Sequence, residues 1–453
     1  MSTYLTELVG KILQVGFGQP ADNDRIVRDA TDQIDRLIAN GEMTGGEILC
    51  INGRASMPVC FAIAAKVGHI FGAIAVSDPK LGKDTFVVTI THSPTYQLGE
   101  VLRLDVEAEL NNQSLAKVSL ENLADSEILE NSSSFFVKLE GNVLLVDFNR
   151  LQEVSNDRLV KDASAELDRL VASGELRGGD LLKINGPISA PVSYVISHRV
   201  SHLYKAIAMF DPKMSRYVVT SSHDSKYRLG DTIFFDELTN PARVRVVLCG
   251  AANSGKSCLR EGLKQALWNL KLQIYPYVIT AQPDGDGCFT FETYRYDATY
   301  ASELKQTLKS QSKGFMPEFV HLVAGWVRNA SLPLTLVDVG GQISPENKLI
   351  MNEATHAIIL SKTQAEIDQW RAFCQSFKPR NLEVIAELHS ILEGDGDRFE
   401  ETDRLLTGEI CGINRGVDLS ERPIVKALAL QLVALVKSME REISWAVYAI
   451  SDP

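Results

Sequence analysis

The chain repeats itself. Residues 68–80 read GHIFGAIAVSDPK, and residues 201–213 read SHLYKAIAMFDPK. The same offset of 133 residues aligns Asp35-Arg36-Leu37 with Asp168-Arg169-Leu170, GEMTGGEIL with GELRGGDLL, and INGRASMPV with INGPISAPV. After the shared Asp-Pro-Lys the second copy is two residues shorter, so FVVTITHSPTYQLGE aligns with YVVTSSHDSKYRLGD at an offset of 131. A repeat of this length is a duplicated folding unit, and two copies in one chain point to a pseudo-dimer with approximate two-fold symmetry. This divides the chain into a first copy over 1–110, an Asn/Ser/Glu-rich linker over 111–133, a second copy over 134–240 and an unrelated domain over 241–453.

Within one copy, Ile26, Val27, Ala30, Ile34, Leu37 and Ile38 follow helical spacing, and Gly41 stops that helix. EILCIN reads as a short buried strand. Pro58 suits a first helical turn, and a second helix runs to about Gly68. FGAIAVS and TFVVTIT read as a hairpin whose turn opens at Asp78-Pro79. The pattern predicts an α+β fold in which two helices cover one face of a small sheet, in a ferredoxin-like layout.

Four polar positions recur in both copies: His69 and His202, Asp78 and Asp211, Lys80 and Lys213, His92 and His223. The second copy adds His198, where the first has Ala65. Imidazole with carboxylate can ligate a divalent metal, imidazole alone can move protons, and lysine suits a phosphate oxygen. Structural roles are equally available to these residues, since Asp-Pro opens turns and a histidine at a helix end can cap it. The hairpin sets a geometric limit. Its histidines lie at one end and its aspartate at the other, about 20 Å away for seven strand residues at roughly 3.3 Å each. A site using all of them has to combine different copies or chains, for instance by head-to-tail stacking.

The composition changes at residue 244. VRVVLCGAANSGKSCLREGL reads as strand, Gly-bounded loop and helix, and Gly250 to Ser257 fits G-x-x-x-x-G-K-[ST]. Gly250 and Gly255 frame a loop whose amides cradle phosphates, Lys256 reaches the outer phosphates and Ser257 serves Mg2+. LPLTLVDVGGQ supplies a second strand ending in Asp338, placed to hold the same Mg2+, with Gln342 placed as a water-positioning sensor like that of small GTPases. A guanine-reading N-K-x-D is missing after HAIILSKTQAEID, which favours ATP over GTP. These segments predict a doubly wound α/β layout for a P-loop NTPase domain.

The net charge of −12 excludes a broad basic surface for long duplex DNA but not a local anion pocket. The seven cysteines have no paired short spacing, which indicates a reduced, cytoplasmic protein without a zinc-finger or disulfide framework. No secretory leader is expected in MSTYLTELVG, and the late apolar run VKALALQLVALVKS reads as a buried helix rather than a membrane span.

The second copy, INGxxxxPVxxxIxHxxxHxxKAIAxxDPK followed by YVVTxSHxxxYxLGD, resembles the CRISPR-associated ring nucleases of the third type. The first copy departs from that pattern in lacking the earlier histidine and in having Gly72 where the second has Lys205. The resemblance covers both copies and implies a manganese-dependent enzyme that works as stacked dimers. It would bind and cut cyclic oligoadenylate, chiefly the tetramer, and so switch off antiviral signalling. On that resemblance His202 and Asp211, with His69 and Asp78 as counterparts, would be central to cleavage and would hold Mn2+. His92 and His223 would assist, and Lys80 and Lys213 would hold phosphates. In fused members of the family the second half looks like an AAA-type ATPase. Two other readings fit the same sequence: a protein that captures the ring while ATP drives assembly, and a P-loop nucleotide kinase with the repeats as an oligomerisation module.

Overall fold

The computed structural model describes residues 2–104, 115–117, 133–149, 154–234, 243–272, 274, 276–282, 293–294, 297–311, 314–377, 381–394, 396–402 and 404–450. These form two compact units, residues 1–211 with 215–235, and residues 236–453 with 212–214.

The first copy runs β1 (Tyr4–Val9), β2 (Ile12–Phe17), α1 (Asn23–Ala39), β3 (Leu49–Gly53), α2 (Met57–Val67), β4 (Ala73–Ser77), β5 (Thr85–Thr91), β6 (Val101–Leu104) and β7 (Leu115–Lys117). The second repeats this as β8 (Phe135–Glu140), β9 (Val143–Phe148), α3 (Asn156–Ala172), β10 (Gly179–Asn185), α4 (Ala190–Val200), β11 (Tyr204–Asp211), β12 (Arg216–Ser222) and β13 (Thr232–Phe234). Of the expected linker, only 115–117 and 133 fall among the described residues, and Leu115–Lys117 pairs with β6. The opening hairpins β1/β2 and β8/β9 escape the sequence reading although they also repeat: at an offset of 131, rather than 133, Leu8, Gly10, Leu13, Val15 and Phe17 match Leu139, Gly141, Leu144, Val146 and Phe148.

Each sheet keeps its strands in chain order, β1 through β7 in one and β8 through β13 in the other. At its centre β2, β3 and β4 are parallel neighbours, while the flanking pairs are antiparallel. This corrects the ferredoxin-like expectation. A split βαβ layout places another strand between the two that a helix joins, whereas here each helix joins adjacent strands.

Helix composition explains the next layer. α1 is amphipathic and buries Ile26, Val27, Ala30 and Ile34. α2 and α4 are apolar almost all round; α2 buries Val59, Cys60, Phe61, Ala62, Ile63, Ala64 and Val67. Such a helix needs neighbours on every side. α2 packs against α1, against α4 and against β11 and β12 of the other copy, while α4 packs against α3 and against β4 and β5. Phe61 and Val87 of the first copy accordingly belong to the core built around the second. The Ser197 hydroxyl donates to the Phe61 carbonyl at 2.9 Å inside this layer.

Two reciprocal hydrogen bonds fasten the copies. The Asn23 amide at the start of α1 donates to Asp211 at 2.7 Å, and the Asn156 amide at the start of α3 donates to Asp78 at 2.9 Å. Ser56 donates to the Asn23 amide oxygen at 2.6 Å and fixes its orientation.

The second unit runs β14 (Val244–Cys249), α5 (Lys256–Asn269), β15 (Tyr277–Ala281), α6 (Ala298–Gln311), α7 (Pro317–Asn329), β16 (Leu334–Val339), α8 (Pro345–Met351), β17 (His356–Ser361), α9 (Gln364–Gln375), β18 (Glu383–Ile391), β19 (Arg398–Glu401), β20 (Leu406–Cys411) and α10 (Pro423–Ile450). The strand order is β15-β16-β14-β17-β18-β20-β19, with every pair parallel except β19/β20. Alternate residues of β14 feed two cores. Val244, Val246 and Leu248 meet α5 and α10 on one face, and Val247 and Cys249 meet α7, α8 and α9 on the other. The helices after the adjacent strands β14 and β17 therefore leave to opposite faces, which opens a crevice at their carboxyl ends. The AAA-type expectation is not met in strand order: such sheets insert a strand between those carrying the phosphate loop and the magnesium aspartate, and here β14 and β16 pair directly. No helix among the described residues is long and apolar enough to cross a membrane.

Removing either cross-copy amide takes a hydrogen bond from a buried carboxylate. Asn23→Ala and Asn156→Ala are each expected to lower the stability of the first unit by about 1–3 kcal/mol, read as a shifted midpoint in urea unfolding with an unchanged slope.

Candidate functional site

The crevice of the second unit is built from its glycines upward. Gly250 lies at φ +137°, and a β-carbon there would meet the Leu360 carbonyl oxygen at 1.8 Å, so the chain leaves β14 tightly against β17. Asn253 and Gly255 also take positive φ, which turns successive backbone amides inward as a phosphate nest. Lys256 is buried, and its ammonium donates to the loop carbonyls of Gly250 and Ala251 at 3.0 and 2.8 Å. Burial pushes its pKa down, against the opposing pull of Asp338 and Cys249.

Leu248 and Asp338 are in register on adjacent parallel strands, so the aspartate emerges beside the loop. The Ser257 hydroxyl donates to the Asp338 carboxylate at 2.7 Å. A hydroxyl and a carboxylate at the mouth of a phosphate nest are hard oxygen donors, which fits Mg2+ with a nucleotide. Gln342 is exposed on the loop after β16. That loop touches the phosphate loop closely, because a β-carbon on Gly341 would lie 2.5 Å from the Ala252 α-carbon.

The sequence reading missed several partners of this site. Arg260 is only 2% exposed, pairs with Glu261 at 2.8 Å and donates to Asp338 at 3.3 Å. Gln282 donates to Asp338 and to the Val339 carbonyl at 3.5 and 3.3 Å. Asn347 donates to the Gly340 and Gln342 carbonyls at 3.0 and 2.7 Å and so holds the sensor loop. The sequence signal for Arg260 is slight: it is one of several charged residues, with Lys256, Glu261 and Lys264, in a helix of mixed composition.

In the first unit the histidines and aspartates part company. Asp78 and Asp211 are 3% and 2% exposed and accept the cross-copy amides described above. Asp78 also accepts the Lys80 backbone N–H at 3.1 Å, as the cap of the hairpin turn. Lys80 and Lys213 lie at the same hairpin tips. His202 is exposed and precedes β11, while Asp211 closes that strand, more than roughly 20 Å along it. A manganese ion held by both His202 and Asp211 would therefore have to draw them from different copies or chains, as the hairpin geometry requires. His223 is exposed beyond the end of β12.

His69, His92 and His198 do converge. One nitrogen from each lies within 4.8 Å of the others, two rings from the first copy and one from the second. The His92 ring stands edge-on to His198 with centroids 5.0 Å apart, and His69 lies 5.6 Å away. His92 Nε2 donates to the Gly68 carbonyl at 2.9 Å, which leaves Nδ1 with the lone pair. His198 Nδ1 is buried without a partner. Burial first, then the neighbouring His92 and His69 rings, hold the His198 pKa down to about 4, so this imidazole is neutral at pH 7. His198 was noticed in the sequence as an extra histidine, but only the packing of α2 on α4 shows which rings it joins.

The close contact at Gly341 gives a test of the second unit. Gly341→Ala overpacks this loop contact, and the second unit is expected to lose about 1–3 kcal/mol of stability, read as a lower midpoint in urea unfolding. No protein-family model and no curated protein sequence matches the chain.

Proposed function

We propose that the chain couples an ATP-hydrolysing P-loop domain to a tandem module that binds and cleaves a cyclic oligoadenylate, the tetramer by preference. The observation that carries the nucleotide part is the Ser257–Asp338 hydrogen bond of 2.7 Å beside Lys256. The amides of Gly250 to Gly255 would bind the phosphates, Lys256 would exchange its loop carbonyls for outer phosphate oxygens, and Ser257 and Asp338 would hold Mg2+. When bound, that ion offsets charge on the transferred phosphoryl group. Gln342 orients water, and Asn347 fixes the loop from which Gln342 acts. The absence of N-K-x-D favours adenine.

The oligoadenylate part rests on the resemblance of the duplicated motif to ring nucleases and on imidazoles that face solvent in both copies. RNA carries its own nucleophile in the 2′-hydroxyl, so cleavage needs proton transfer and charge relief rather than a water-activating carboxylate. His202 and His223, with His69 and His92 as counterparts, supply the imidazoles. Lys80 and Lys213 stand at the opposite hairpin ends, so one ligand reaches both sets only between two molecules stacked head to tail. The buried, amide-bound state of Asp78 and Asp211 favours a second reading, in which the module captures the ring without cutting it.

Two measurements decide these points. Lys256→Ala is expected to reduce ATP hydrolysis by at least about 10²-fold, the cost of losing one preorganised donor to developing charge; a fully active variant removes the nucleotide reading. Cyclic tetra-adenylate incubated with the protein, with and without ATP, is expected to yield linear products. His202→Ala should slow this by about 10²–10⁴-fold, the usual contribution of a general acid or base. Retention of the intact ring in a complex establishes capture alone, and no binding at all overturns both versions.

A further inference from the structure

We propose that His69, His92 and His198 form a binding site for one divalent transition-metal ion of the zinc class per chain, shared between the two copies and one-sided. It does not rest on the nucleotide or oligoadenylate readings. Imidazole nitrogens are the preferred donors for zinc and its neighbours, and three of them leave a fourth position open to water or an anionic oxygen. Nitrogens on a tetrahedral ion at about 2.0–2.1 Å stand roughly 3.4 Å apart. The cluster, with its atoms within 4.8 Å, has about an ångström to close, and the exposed ring of His69 can rotate to do so.

Three features prepare the site. The Gly68 carbonyl takes the Nε2 proton of His92, the kind of outer contact that fixes a ligating histidine in one tautomer. The buried Nδ1 of His198 has no protein partner. The two cations flanking the cluster on α2 and α4 are already paired in symmetric fashion, Lys66 with Asp35 at 2.7 Å and Arg199 with Asp168 at 3.2 Å. These carboxylates partly offset the positive charge that Arg199 places beside His198.

The one-sidedness follows from the repeat. The pseudo-symmetric counterparts of His69, His92 and His198 are His202, His223 and Ala65. The mate has two imidazoles and a methyl group, too few for an equivalent site. All ring atoms of the cluster come from the ends of α2 and α4 and from the end of β5, so the helix pair that joins the copies also positions the ligands.

The test is equilibrium dialysis of the full chain with Zn2+, together with the visible absorption of Co2+ as a report on ligand geometry. One ion per chain is expected. His69→Ala, His92→Ala and His198→Ala should each weaken binding by more than about 100-fold, since loss of a residue that merely orients a ligand costs about 10–100-fold. His223→Ala and His321→Ala, the latter in the second unit, should leave binding unchanged. The double variant Ala65→His with His198→Ala should restore one ion per chain, now sensitive to His223→Ala. Thermal melts without metal confirm that each variant is folded, and a variant that fails this is replaced by the corresponding glutamine. Binding that survives His198→Ala in a folded chain, equal sensitivity to His223→Ala in the wild type, or no binding to the wild type overturns the site.

Discussion

The first unit depends on helices that cannot be buried by their own sheet. α2 and α4 are apolar on nearly every side, so each needs a second sheet as well as its own. The duplication supplies that sheet. The helices of both copies then form one layer that contacts strands of both, and the Asn–Asp pairs close its two edges. Everything functional in this unit inherits its position from that layer. The histidines gather where the two central helices end, and the aspartates are drawn into fastening the copies.

The second unit depends on a simpler constraint. The loop after β14 must pass so close to the neighbouring strand that only glycine can stand at position 250. This places the mouth of the loop where helices depart to opposite faces, and the direct pairing of β14 with β16 brings Asp338 to Ser257. Arg260 then supports the aspartate from within α5, a buried cation whose charge is matched by both Asp338 and Glu261.

Much of this is legible in the chain itself. The spacing of Ile26, Val27, Ala30 and Ile34 announces α1, and the run from Val244 to Leu263 announces the strand, tight loop and helix found there. The hairpin argument, that His69 and Asp78 sit at opposite ends of β4, holds because strand rise is fixed by covalent geometry. The ferredoxin-like expectation fails because periodicity marks elements but not which strand lies beside which. The opening hairpins were hidden because they repeat at an offset of 131, two residues out of step with the helices that follow, although Leu13 and Val15 match Leu144 and Val146. The recurrence of Asp78 with the histidines does not by itself point to chemistry, because both copies need the same fastening to their neighbour. The convergence of His198 with His69 and His92 is a tertiary event, visible only once α2 lies on α4.

The shared layer has one more consequence. Had the two halves been separate polypeptides, their association would vary with protein concentration, and a dilute cell would hold some of them apart with bare helices. Covalent joining replaces that equilibrium with a fixed local supply of the partner. It also frees each half from serving as its own mate. One half can then acquire a residue such as His198 that the other never needs, so a two-fold scaffold can carry differently equipped sides.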